Sequence, residues 1–253
     1  MKHILLPSTG PEAWRILLAD PAKHWKEGRS AYELAYAWEA AGPAPAEGLP
    51  AGLRAMLDGV PLLRGAKLLL AVPEHQVTLD TGVAPSQNDL WALLSNDQGL
   101  ISMAVEGKAG ELFDKTVQEW LERDVSRTGR ENRLAWLCGQ LGRTYDPLKD
   151  GGLRYQLFHR TVSALKEARR YHAKSAVMLV QTFCDDPDSW ADYHRFTAWL
   201  GGVAERNALS PVILPGGPDL YLGWLRSECV SDKSVVVRDK SRNLTPALVP
   251  GIA

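Results

Sequence analysis

The chain has 253 residues, 45% of them hydrophobic and 23% charged, with a formal net charge of −1. That composition supports a sizeable core and excludes a disordered or fibrous chain. The near-neutral charge does not announce a nucleic-acid partner, as a strongly basic chain would, although a metal ion and a local basic patch can serve a neutral protein equally well. Cys138, Cys184 and Cys229 stand far apart with no Cys-x-x-Cys, so no disulfide framework is expected and a reducing, cytoplasmic compartment is the simple reading. Met1 to Pro7 holds too short an apolar run for a signal peptide, and no apolar stretch is long enough to span a membrane.

In chain order, a loop from Pro7 leads into a short helix over about 12–19. Ser30 is placed to cap a helix through Ala41, with Leu34, Ala35, Trp38 and Ala41 on one stripe. Gly42-Pro43 ends it, and the Pro/Ala/Gly-rich stretch to Gly52 reads as a loop. A short helix near 51–58 precedes a strand from Lys67 to Val72, and a further extended piece over His75–Leu79 either continues it or bends from it around Pro73. Two apolar arms, Asn88–Leu94 and Leu100–Lys108, then flank Ser95-Asn96-Asp97-Gln98-Gly99, a strong hairpin signal. Helices are expected over Glu111–Leu121, Arg130–Leu141 and Leu153–Tyr171. The run Ser175–Phe183 is almost uniformly apolar, as in a central strand buried on both faces. A helix over Ser189–Leu200 and closing strands at Val212–Leu214 and Leu220–Leu225 follow, with a polar tail beyond Asp232.

These elements add up to an α/β fold in one domain, a mixed sheet containing an antiparallel hairpin with helices on both faces. Its core runs over about 30–183, with a C-terminal helix and short strands over about 186–226. A purely parallel doubly wound sheet is excluded, because the hairpin connection is too short for a crossover.

The chemistry concentrates in that hairpin. With the turn centred between Asp97 and Gln98, Asp89 lies across from Glu106, and Lys108 points to the same side as Glu106. Carboxylate oxygens suit a hard cation such as Mg²⁺ or Mn²⁺, which activates bound water and stabilises charge at phosphorus. Lys108 is placed to orient that water or take its proton. Gly107 is read as an open face that lets a substrate backbone approach.

Glu106-Gly107-Lys108 at the end of an apolar strand, with Asp89 across the hairpin, resembles the PD-(D/E)XK nuclease superfamily, of which this chain would be a divergent member. The resemblance covers roughly Ser30 to Phe183 and departs from the family in having Asn88 where proline often precedes the first acid. It implies a restriction-endonuclease-like core and Mg²⁺-dependent cleavage of nucleic acid. On that basis Asp89 and Glu106 are metal ligands, Lys108 acts on water, and Glu33 on the first core helix is an additional ligand. Gln156 on a later helix is the candidate glutamine near the site. Glu-x-Lys by itself is a weak signal, and a solvent-facing pair at a strand end is its plain alternative. Glu33 has one too, as a capping acid bonded back to Ser30.

Arg160 shares a helix face with Gln156 and is a candidate phosphate ligand, as is Arg29 before the first core helix. His159 points about 100° away from Arg160. Lys166, Arg169, Arg170, His172 and Lys174 form one basic segment, and Arg123, Arg127, Arg130 and Arg133 another, enough charge together to track a phosphate backbone. DNA or RNA is the partner this implies, and homodimerisation suits a nuclease that must cut two strands. Two other readings compete. One is a nuclease-like fold without catalysis, serving as a binding module, which a buried and salt-bridged Glu106 would favour. The other is an unrelated enzyme with its site near Trp91, Trp190 or Trp224.

Overall fold

The computed structural model describes residues 8–41, 48–79, 84–122 and 127–229. The expectations for Met1–Pro7, most of the 42–52 loop, Arg123 and the tail beyond Asp232 fall outside these residues. A 3-10 helix over Pro11–Leu17 is followed by α1 (Pro21–His24), α2 (Ser30–Ala41) and α3 (Ala51–Asp58). Strands β1 (Lys67–Val77), β2 (Ser86–Asn96) and β3 (Gly99–Lys108) form an antiparallel meander. Helices α4 (Val117–Leu121), α5 (Arg127–Gln140), α6 (Pro147–Asp150) and α7 (Tyr155–Arg170) carry the chain to β4 (Ser175–Thr182), which pairs parallel to β3. After α8 (Pro187–Trp199), β5 (Ala208–Val212) and β6 (Asp219–Arg226) complete a six-stranded sheet in the order β1-β2-β3-β4-β6-β5. This is the expected mixed sheet with helices on both faces.

The hairpin forms in the expected register because its turn allows no other. Asn96 Oδ1 accepts from the N–H groups of Gln98 (3.0 Å) and Gly99 (3.2 Å), and Gly99 takes a φ of 137° that other residues rarely adopt. Asn96 therefore pairs with Gly99, and the ladder continues without a slip to Leu90 and Val105. Alternation then assigns faces. Leu90, Ala92, Met103 and Val105 pack with Leu34 and Trp38 of α2 and with α3, whereas Ala104 packs with Leu157, Phe158 and Val162 of α7. Strand β4 is buried throughout, as the apolar run predicts, because it lies between two parallel neighbours and under helices on both faces.

Two elements differ from the sequence reading, and one open alternative is decided. Residues 111–116 are not helical: the Glu111 side chain accepts from the N–H groups of Ala109 and Ser30, and the helix starts only after Thr116, whose capping box with Glu119 is complete. Of the two courses open at Pro73, continuing or bending, β1 takes the first and runs through it to Val77. The first closing strand is Ala208–Val212 rather than Val212–Leu214. Its Pro211 is tolerated because β5 is an edge strand, and Ile213 is 93% exposed.

Candidate active site

The β2–β3 ladder ends one residue short of the acidic pair, so Asp89 and Glu106 occupy the next opposed positions, on the α7 face. The Asp89 side chain replaces the missing ladder bond: its Oδ2 accepts from the Gly107 N–H at 2.8 Å. Lys108, two residues on, turns its Nζ back to Glu106 Oε1 at 2.8 Å and lies 4.8 Å from the centre of the Phe113 ring.

Helix α7 brings the rest. Its apolar stripe, including Leu157, Val162, Leu165 and Ala168, seats it on the sheet, which aims Gln156 and Arg160, one turn apart, at the strand ends. Gln156 Nε2 donates to Glu106 Oε1 at 2.6 Å, while Gln156 Oε1 accepts from Lys108 Nζ and from the Asp114 N–H, each at 3.2 Å. Arg160 Nε donates to Glu106 Oε2 at 2.6 Å, and its Nη2 lies 3.7 Å from Asp89 Oδ1. Asp89, Glu106, Lys108, Gln156 and Arg160 are thus brought together.

The two carboxylates titrate oppositely. Burial raises the Glu106 pKa, but Lys108 and Arg160 outweigh it and hold the group at about 2. For Asp89, burial and then the charge of Glu106 outweigh Arg160, and its carboxyl is pushed up to about 8. The cluster therefore favours the ionised form of Glu106 and the protonated form of Asp89.

Other expected members lie apart from this group. Glu33 is fully buried, and its Oε1 accepts from the Gly28 N–H at 2.8 Å, in the turn that leads into α2. That is a helix-start role, but through Gly28 rather than Ser30. Arg29 reaches toward Glu111 at 3.9 Å and is largely exposed. Gly107 is not an open face for substrate: a Cβ there would stand 3.4 Å from both Asp89 Oδ2 and Ser30 Cβ, so α2 covers it. Arg133 is buried, donating to Tyr155 Oη at 2.7 Å and to the Ala84 carbonyl at 3.1 Å, and so leaves the second basic cluster. In the first, Lys166 bonds the Leu79 carbonyl, Arg169 bonds Gln140, and Arg170 pairs with Glu167. Trp91 and Trp224 are core residues.

Three residues near the site were not among its expected members. Ser86 Oγ is shared by His159 Nδ1 (2.7 Å) and Arg160 Nη1 (3.3 Å), so His159 joins the cluster through Ser86 despite its angle on the helix. Burial, then the charge of Arg160, hold the His159 pKa well below its ordinary value, which keeps the ring neutral. Glu74 on β1 lies opposite Asp89 by register, between the pairs Pro73–Leu90 and His75–Asn88.

The donor set fits a hard divalent cation. Carboxylate oxygens are the ligands Mg²⁺ and Mn²⁺ take. Among the described residues no group of three or more His, Cys, Asp or Glu side chains is arranged to hold a metal. Two carboxylates still suffice for Mg²⁺, which fills its remaining positions with water and phosphate oxygens.

The family model described as a domain of unknown function, DUF6946, matches residues 7–229, and the chain belongs to that family. No curated protein and no solved structure matches it. Among the described residues no helix is long and apolar enough to cross a membrane.

Proposed function

We propose that this chain is a nuclease with a restriction-endonuclease-like core, hydrolysing phosphodiester bonds of DNA or RNA with Mg²⁺ or Mn²⁺. The observation that carries this reading is the convergence of Asp89, Glu106, Lys108 and Gln156, backed by Arg160, at one end of the hairpin. The succession of α2, β1 to β3, α7 and β4 supports the same core. When bound, the metal lowers the pKa of a water molecule and offsets charge developing at phosphorus. Asp89 and Glu106 are the residues that hold it. Gln156, Lys108 and Arg160 fix the Glu106 carboxylate in one orientation before substrate arrives. The Lys108 ammonium orients the attacking water, and the Arg160 guanidinium binds a non-bridging phosphate oxygen. Cutting both strands of a duplex takes two copies of such a site.

A second reading has its own observation. The Glu106 and Lys108 side chains are only 3% and 6% exposed and are bonded to each other, which favours a nuclease-like fold that binds nucleic acid or protein without cleaving. Calorimetric titration of Mg²⁺ and Mn²⁺, in the presence of an uncleavable phosphorothioate oligonucleotide, separates the two. The nuclease reading predicts a heat of metal binding in the wild type that is lost in Asp89→Asn and in Glu106→Gln. Metal heat that is absent from the wild type, or unchanged in both variants, overturns it. Oligonucleotide binding without metal heat assigns the chain to the binding role.

A further inference from the structure

Ser86 is the first residue of β2, and its buried hydroxyl has three polar neighbours. Arg160 Nη1 lies at 3.3 Å, His159 Nδ1 at 2.7 Å and the His159 carbonyl oxygen at 3.4 Å. The chemistry of the three decides which of them takes the one hydroxyl proton. A guanidinium only donates, so the Ser86 oxygen accepts from Arg160. The His159 carbonyl belongs to the ladder of α7 and already accepts from Ser163 Oγ at 2.8 Å. At 3.4 Å it is also beyond the ordinary reach of a hydroxyl, whereas Nδ1 at 2.7 Å is well within it. Nδ1 is left as the acceptor, which requires a neutral ring with its proton on Nε2. Burial, then the charge of Arg160, keep the ring neutral.

Both ends of this contact are tied down. His159 packs on Tyr155, one turn back along α7, with ring centroids 5.0 Å apart. Tyr155 stacks on Trp120 of α4 at 3.8 Å and accepts from Arg133 Nε at 2.7 Å. Arg133 of α5 also donates to the carbonyl of Ala84, two residues before Ser86. One arginine thus sets both the strand that carries Ser86 and the tyrosine that backs His159. An apolar pair would fill the same space without burying a hydroxyl and an imidazole. What the polar pair adds is a lone pair aimed at Arg160. Arg160 Nε donates to Glu106 Oε2 at 2.6 Å, and that bond alone lets the guanidinium tilt about it. The second bond, from Nη1 to Ser86, fixes the plane. Nη2, 3.7 Å from Asp89 Oδ1 and so beyond a hydrogen bond, is the nitrogen left for a phosphate oxygen.

We propose that Ser86 and His159 are positioning residues of this site. The Ser86 hydroxyl donates to His159 Nδ1 and accepts from Arg160 Nη1, which sets the guanidinium plane for a nucleic-acid phosphate. The phosphate rests on the nuclease or nucleic-acid-binding reading, whereas the tautomer and the hold on Arg160 do not. Nitrogen NMR of protein labelled at histidine and arginine reads both. His159→Phe identifies the His159 signals by their loss, keeps a ring against Tyr155 and removes the acceptor. His159→Asn returns an amide oxygen near the place of Nδ1. Ser86→Ala removes the hydroxyl, and Ser86→Thr keeps one.

The wild type is expected to show a bare Nδ1 and a protonated Nε2 on His159. In Ser86→Ala and in His159→Phe the Arg160 Nε–H exchanges with water about tenfold faster, and affinity for a phosphorothioate oligonucleotide falls about tenfold. Ser86→Thr and His159→Asn recover most of both signals. A wild-type ring with its proton on Nδ1 overturns the proposal, and that reading needs no variant to fold. An Arg160 signal unmoved in both Ser86→Ala and His159→Phe overturns it as well. Signals that move as expected in a protein whose wild type binds no oligonucleotide support the hold on Arg160 and remove the nuclease reading instead.

Discussion

Glu106→Ala lowers the unfolding free energy by about 3–5 kcal/mol, the cost of leaving buried charge without its partner. Three donors converge on this carboxylate, Lys108 Nζ, Gln156 Nε2 and Arg160 Nε, all within 2.8 Å of an oxygen, and both cationic side chains are nearly excluded from water. Without Glu106 two cations share the space with no ionised acid close by, because Asp89 is largely protonated at neutral pH. Denaturant unfolding of the wild type, Glu106→Ala, Arg160→Met and the double variant reads this directly. The double variant is expected to lose less than the sum of the singles, with a coupling of about 2 kcal/mol or more. A loss below about 1 kcal/mol in Glu106→Ala would mean that water already reaches the cluster and screens it.

Stability also depends on pH in a way this cluster dictates. Glu74 and Asp89 bind protons more tightly folded than unfolded, with folded values of about 7 and about 8. Their contribution is fully present below the unfolded carboxylate range and is lost as pH rises through 7 and 8. Glu106 works in the opposite sense: its value of about 2 contributes stability above the unfolded range that is lost as pH falls toward 2. The protein is therefore most stable near pH 4, in the unfolded carboxylate range, and its unfolding free energy falls by about 2 kcal/mol or more between pH 5 and pH 9. Asp89→Asn flattens the alkaline limb. On the nuclease reading proposed above, added Mg²⁺ is expected to lift the wild type on that limb and to leave Asp89→Asn unmoved. Stability that is flat or rising from pH 6 to pH 9 would contradict the assignment of a protonated acid to this site.

What the sequence disclosed follows the range of the interactions involved. Asp89 opposite Glu106 was legible because the Asn96–Gly99 turn sets the register and alternation sets the faces. Gln156 and Arg160 were legible as one turn of a helix, although only the packing of α7 decides that this turn faces the strand ends. Glu33 and Arg29 look like site residues in the chain, but folding directs them to Gly28 and Glu111, contacts no local pattern announces. Glu74 was hidden for a different reason. Pro73 leaves open whether β1 continues or bends, and nothing in the residues signals the left-handed glutamate that follows it within the strand. The helix expected from Glu111 was a misreading of visible information. The Thr116…Glu119 capping box marks the true start, and Leu112, five residues before Val117 and therefore off its helical face, is exposed.

The most direct measurement is strand scission of labelled single- and double-stranded DNA and RNA by the purified protein with Mg²⁺ or Mn²⁺, beside Lys108→Met. The nuclease account predicts cleavage that a chelator abolishes and that Lys108→Met reduces by about 100-fold or more. Intact substrate with the wild type under every metal, or equal cleavage by wild type and Lys108→Met, would contradict it.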